Sequence, residues 1–99
     1  MTGCGAPAQE LTPVDPGSGA VIQGSVVRDG SPVGGAYVRL LDAGGEFTAE
    51  VVSSATGAYR FFAAPGSWRV RALTPGGAGE AAVRVVGGEV AEAPVTLVP

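Results

Sequence analysis

The chain has 99 residues, 45% of them hydrophobic, 15% charged and 6% aromatic, with 17 Gly, 8 Pro and a formal net charge of -3. That is room for one small domain, and no apolar run approaches the ~20 residues of a membrane span. With no His, no Lys and no Asn, the chain lacks the usual general base, the commonest zinc ligand and any lysine for a Schiff base or a phosphate loop.

The other exclusions follow from what remains. Cys4 is the single cysteine, so it forms neither an internal disulfide nor a multi-thiolate metal site. The nine carboxylates are scattered without the spacing of a calcium loop. No autonomous enzyme, cofactor or metal is expected. The acidic balance argues against nucleic acid. No basic-then-apolar signal region opens the chain, so the expectation is a cytoplasmic protein with no membrane partner.

Residues 1–19 hold four Gly and three Pro with no aromatic residue and no sustained apolar period. They read as a flexible arm carrying Cys4, and residues 20–99 as the folded domain. From Ala20 the hydropathy alternates between turn residues spaced several positions apart, which predicts a seven-stranded antiparallel β-sandwich. The first strand, Ala20–Arg28, stops at Asp29-Gly30, where Gly accepts positive φ, and Pro32 follows close behind. The second, Ala36–Leu41, turns Val38 and Leu40 inward and Tyr37, Arg39 and Leu41 outward. The third, Phe47–Ser53, has Phe47, Ala49 and Val51 as its inward set, leaving Glu50 on the other face.

Ala58–Ala63 is the fourth strand, burying Tyr59 and Phe61 and exposing Arg60. Pro65-Gly66 then makes a sharp corner. The fifth, Trp68–Leu73, alternates Trp68, Val70 and Ala72 inward with Arg69 and Arg71 outward. Thr74–Gly79 is a loop by composition, and Ala81–Val86 and Pro94–Val98 complete the set. The expected core is Ile22, Val26, Val38, Leu40, Phe61, Trp68, Val70, Val95 and Leu97. The hydroxyls of Ser53, Ser54 and Thr56 have no base beside them and read as turn-making groups.

Gly24-x-Val26, Gly35-Ala36-x-Val38-x-Leu40, Thr56-Gly57-x-Tyr59-x-Phe61 and Pro65-Gly66-x-Trp68-x-Val70-x-Ala72 together resemble the carboxypeptidase regulatory-like domain. The resemblance covers about residues 21–73 and implies a transthyretin-like (prealbumin-like) sandwich. The run from Glu46 to Leu73, with Cys4 to Pro7 in front, is also similar to a small actinobacterial family of unknown function whose members are commonly encoded beside rhodanese-type thiosulfate sulfurtransferases. That similarity implies a sulfurtransferase partner and a link to sulfur metabolism. Purine-pathway hydrolases of the transthyretin-like fold use His residues, which this chain lacks, so their activity is not implied.

Two candidate sites follow. Cys4 is either an exposed thiol with no role or, given the implied neighbourhood, an acceptor of persulfide sulfur in a relay. Residues 51–79 contain three Arg and no acid, leaving -6 for the rest of the chain. A hairpin at Pro65-Gly66 would set Arg60 opposite Arg71, an uncompensated like-charge pair. The transthyretin-like arrangement instead crosses between sheets there, so that Arg39, Arg69 and Arg71 share an outer face with Glu50 one strand away. We take the crossover, and that face is the candidate anion or partner surface, against a plain solvated sheet face. Phe62, with Tyr37 and Leu41, offers an outward apolar patch for a homodimer or a docking partner. The expected function is a non-enzymatic accessory or interaction module, with the sulfur relay and a carbohydrate or small-ligand binding module as alternatives.

Overall fold

Apolar and polar residues alternate with a period of two, and a strand obeying that period has one face to bury; two such sheets bury theirs against each other. A computed structural model describes Ala8–Gln9 and residues 19–99, and it is all-β. The strands are β1 (Ala8–Gln9), β2 (Ala20–Arg28), β3 (Ser31–Pro32), β4 (Tyr37–Asp42), β5 (Phe47–Ser53), β6 (Ala58–Ala63), β7 (Gly66–Thr74), β8 (Gly77–Val85), β9 (Val90–Glu92) and β10 (Val95–Thr96). The seven expected strands are present, with β1, β3 and β9 as short additions. The expectations for Cys4, and for the N-terminal arm apart from Ala8–Gln9, lie outside the described residues.

One sheet runs β1-β5-β4-β7-β8. The other is built around β2, which pairs with β6 along one side, with β9 and then β10 along the other, and with β3 through the Asp29-Gly30 turn. The corner after β6 does cross between sheets, placing β7 between β4 and β8. Ile22, Val26, Val38, Leu40, Phe61, Val70, Val95 and Leu97 are buried as expected. Not every pairing is antiparallel: β9 and β10 run parallel to β2, and β1 runs parallel to β5.

Four expectations need correction. Trp68 has the core's phase but lies near the corner, where its indole N–H donates to the Ala64 carbonyl at 2.8 Å, and it is only half-buried against the edge of the core. Phe47 is not inward. Pairing of β4 with β5 steps from Leu40↔Ala49 to Leu41↔Phe47, skipping Thr48. This β-bulge reverses the phase of the strand end, so Phe47 is 62% exposed opposite Leu41 on the outer face. Leu41 points outward but is only 8% exposed. The expected Thr74–Gly79 loop shrinks to a tight turn at Pro75-Gly76, because β8 begins at Gly77, opposite Thr74.

Its glycines serve a packing purpose. A Cβ on Gly79 would overlap the Thr96 carbonyl, so this position admits the C-terminal segment against β8 only as Gly. Gly24 has the same role on β2: a Cβ there would stand 2.5 Å from the Ala93 carbonyl oxygen, where the chain steps from β9 to β10. Tyr59 lies opposite Gly24 in the β2–β6 ladder. With no side chain between them, its hydroxyl donates to the same Ala93 carbonyl. Tyr59 is fully buried and stacks at a tilt on Phe61, ring centroids 5.8 Å apart.

The link from β5 to β6 is held by two buried serines. Ser53 Oγ accepts from the Ala36 N–H at 2.9 Å and donates to the Val33 carbonyl at 2.8 Å, tying β5 to the entry of β4. Ser54 Oγ accepts from the N–H groups of Ala58 (3.1 Å) and Thr56 (3.2 Å) and bonds the Thr56 hydroxyl at 2.9 Å. These are the turn-making hydroxyls anticipated above.

Two measurements check this account. Burial first, and then the negative charge of Glu92, raise the Tyr59 phenol above its ordinary 10.0. Above about pH 10 the folded state therefore retains a proton that the unfolded state has released, and stability falls as pH rises further. In urea titrations Tyr59→Phe removes that alkaline decline and, by leaving the Ala93 carbonyl without its donor, costs about 1–3 kcal/mol at neutral pH. Ser53→Ala strands a buried N–H and a partly buried carbonyl, and the same titrations should show a loss of about 1–3 kcal/mol. Glu50→Gln, on an exposed ion pair, should cost less than about 1 kcal/mol.

Candidate functional site

The crossover decides which charges meet. On the outer face of the first sheet, Glu50 of β5 lies opposite Arg39 of β4, Arg39 opposite Arg71 of β7, and Arg71 opposite Glu80 of β8. One row thus crosses four strands in the order Glu50, Arg39, Arg71, Glu80. Directly opposed like charges in a sheet are unfavourable, so the Arg39–Arg71 pair is tolerable only because each guanidinium turns to its own carboxylate. Arg39 Nε donates to Glu50 Oε2 at 2.8 Å. Arg71 donates to Glu80 Oε1 from Nη2 at 2.9 Å and from Nε at 3.2 Å. Arg69 reaches the other oxygen of Glu80 at 3.6 Å.

The row stays in contact with water: the Arg39 and Glu50 side chains are 45% and 34% exposed. Exposed pairs of this kind contribute little to stability. The structure therefore brings together all four residues singled out on this face, Arg39, Arg69, Arg71 and Glu50, and adds Glu80, which the sequence reading passed over. Glu80 sits at the edge of a Gly/Ala-rich segment read there as loop and flank. Only the β7–β8 register reveals it as the counter-charge of Arg71, and the face is accordingly more nearly neutral than three arginines suggest.

Beside the β7–β8 part of the row, toward the Gly66 corner, is an open depression of about 430 Å³ lined by Ala43, Ser67, Trp68, Arg69, Val83 and Arg84, among others. Arg84 Nη1 donates to Ser67 Oγ at 3.3 Å. Trp68 and two arginines are thus among the residues that line this concavity.

The apolar patch proposed from Phe62, Tyr37 and Leu41 does not assemble. Phe62 is 68% exposed but lies on the outer face of the second sheet, opposite Val21. Tyr37 and Leu41 are on the first sheet. The second sheet has its own polar row: Arg60 Nε donates to Gln23 Oε1 at 3.0 Å, and Gln23 Nε2 donates to Glu92 Oε2 at 2.9 Å. Among the described residues no group of three His, Cys, Asp or Glu side chains is placed to hold a metal ion. No described helix is long and apolar enough to cross a membrane.

Comparison with known proteins fits this architecture. A crystal structure of a DUF3823 family protein from Parabacteroides merdae superposes with a TM-score of 0.59 over 84% of this chain, at 15% identity. The chain spans about half (47%) of that protein, and the likeness concerns the fold alone. The uncharacterized proteins Rv0814c and Rv3118 of Mycobacterium tuberculosis are each 54% identical over 98 residues, covering 95% of this chain and 98% of theirs. An uncharacterized protein of Mycolicibacterium smegmatis is 55% identical over 80 residues, 81% of this chain and 84% of its own. The family described as "Protein of unknown function (DUF1416)" matches residues 4–97, and the chain belongs to that family.

Proposed function

We propose that this protein is a non-enzymatic β-sandwich module that acts by docking another protein on the outer face of its β5-β4-β7-β8 sheet. The observation that carries this reading is the ordered, water-exposed row from Glu50 to Glu80, with Arg69 and the Trp68 depression beside it. Its ion pairs add little to the fold, yet they set guanidinium and carboxylate groups at fixed strand spacing, which is how electrostatic complementarity selects a partner. The chain's chemistry supports an interaction role in preference to catalysis. The buried hydroxyls of Ser53 and Ser54 are engaged in turn hydrogen bonds, and that of Tyr59 holds the Ala93 carbonyl with its proton tightly bound.

The sequence similarity to a family encoded beside rhodanese-type sulfurtransferases makes such an enzyme, in the cytoplasm, the partner to test. With a sulfurtransferase immobilised on a sensor surface, the wild-type chain should bind. The triple variant Arg39→Glu, Arg69→Glu, Arg71→Glu should bind at least about tenfold more weakly. Phe62→Ser, on the opposite sheet, should bind like wild type, and circular dichroism should show that both variants keep their strands. Unchanged affinity in the triple variant would remove this face from the interaction. Absence of wild-type binding would remove the sulfurtransferase.

A further inference from the structure

The two ends of the first sheet are treated differently. At one end β5 is flanked by β1, which pairs with Val52 and Ser53. At the other end β8 pairs with β7 on its inner side, while on its outer side, among the described residues, only Ala78 makes backbone hydrogen bonds, exchanging them with Val98 at 3.0 and 2.9 Å. In an antiparallel ladder, main-chain groups of alternate residues point to the same side. Those of Glu80, Ala82 and Arg84 therefore point outward with Ala78's, and among the described residues they meet no backbone partner. An open edge of this kind is a template for a further strand.

We propose that β8 pairs antiparallel with β8 of a second copy of this chain, about a twofold axis at Ala82. Charge complementarity selects this occupant and this register. With Ala82 opposite its symmetry mate, Glu80 of each copy lies opposite Arg84 of the other, on the same face, in two opposite-charge cross-strand pairs. The outward main-chain groups of Glu80, Ala82 and Arg84 then fall opposite one another, each pair exchanging both hydrogen bonds. Centring the axis on Glu80 sets Glu against Glu and drives the second strand into Val98. Centring it on Arg84 sets Arg against Arg. Of the strands flanking β2 in the second sheet, β6 contains no carboxylate and β9 and β10 contain no arginine, so none offers such self-complementarity.

Glu80 can take the added pair because Arg71 and Arg69 approach it from the β7 side only, and a carboxylate accepts several donors. Arg84 is held on its own chain by one long hydrogen bond to Ser67. In the dimer the charged row continues from Glu80 into the second copy, making a continuous sheet across both. The interface is isologous, as a closed twofold dimer requires.

Sedimentation velocity on the full chain across a wide concentration range tests this. Wild type is expected to show a monomer–dimer equilibrium. Arg84→Glu places Glu80 opposite Glu at both pairs, and Glu80→Arg places Arg opposite Arg84; each should weaken the dimer at least about tenfold. An equimolar mixture of the two variants restores both opposite-charge pairs, so it should form a heterodimer although each alone is monomeric. Ala82→Pro removes an outward donor without breaking a bond to β7 and should abolish the dimer while circular dichroism retains the strand signal. A wild-type chain that stays monomeric at millimolar concentration would overturn the proposal. So would a dimer indifferent to these changes, or charge variants that fail to recombine.

Discussion

The corner at Ala64-Pro65 is the constraint from which the rest follows. Strands β6 and β7 are neighbours in sequence, and each has a buried phase: Tyr59 and Phe61 on one, Val70 and Ala72 on the other. Paired side by side as a hairpin, they would turn all four side chains to a single face of one sheet. Sent to opposite sheets, they face each other across the core, and each sheet supplies what the other must cover. The indole of Trp68 fastens the corner through the Ala64 carbonyl. Every strand-to-strand contact on the outer face of the first sheet inherits its register from that choice.

Much of this was legible from hydropathy, because burial enforces alternation wherever a strand has one wet face and one dry face. Eight of the nine core residues named from the sequence are buried. The failures share a cause: they depend on which strand pairs with which and in what register, and hydropathy does not record that. A bulge at Thr48 leaves no mark on alternation, since the strand looks continuous and only its neighbour reveals the skipped residue, so alternation alone puts Phe47 on the wrong face. The glycines around Gly79 have the composition of a loop, but they serve as clearance for the C-terminal segment. Glu80 lacked meaning until β8 was paired with β7, and the Arg39–Arg71 opposition, a by-product of the crossover, was equally hidden.

The candidate site was legible in membership more than in character. Arg39, Arg69, Arg71 and Glu50 do share a face, as their outward phase and the crossover required. What could not be read was the balance of charge, because that depends on which acid each arginine meets. Among the described residues, the buried hydroxyls of Ser53, Ser54 and Tyr59 are occupied in shaping the β5–β6 turn and in locking Tyr59 to the β9–β10 step.

The pairing of each arginine with its own carboxylate along the Glu50-to-Glu80 row also governs how far the protein can be sensed. Opposite charges a few ångströms apart cancel over distances comparable to the Debye length, about 8 Å at physiological salt. Such a surface casts little field into solution and steers an approaching molecule weakly. It discriminates at contact, where a displacement by one strand spacing turns attraction into repulsion, so it is suited to judging alignment and poorly suited to recruiting from afar.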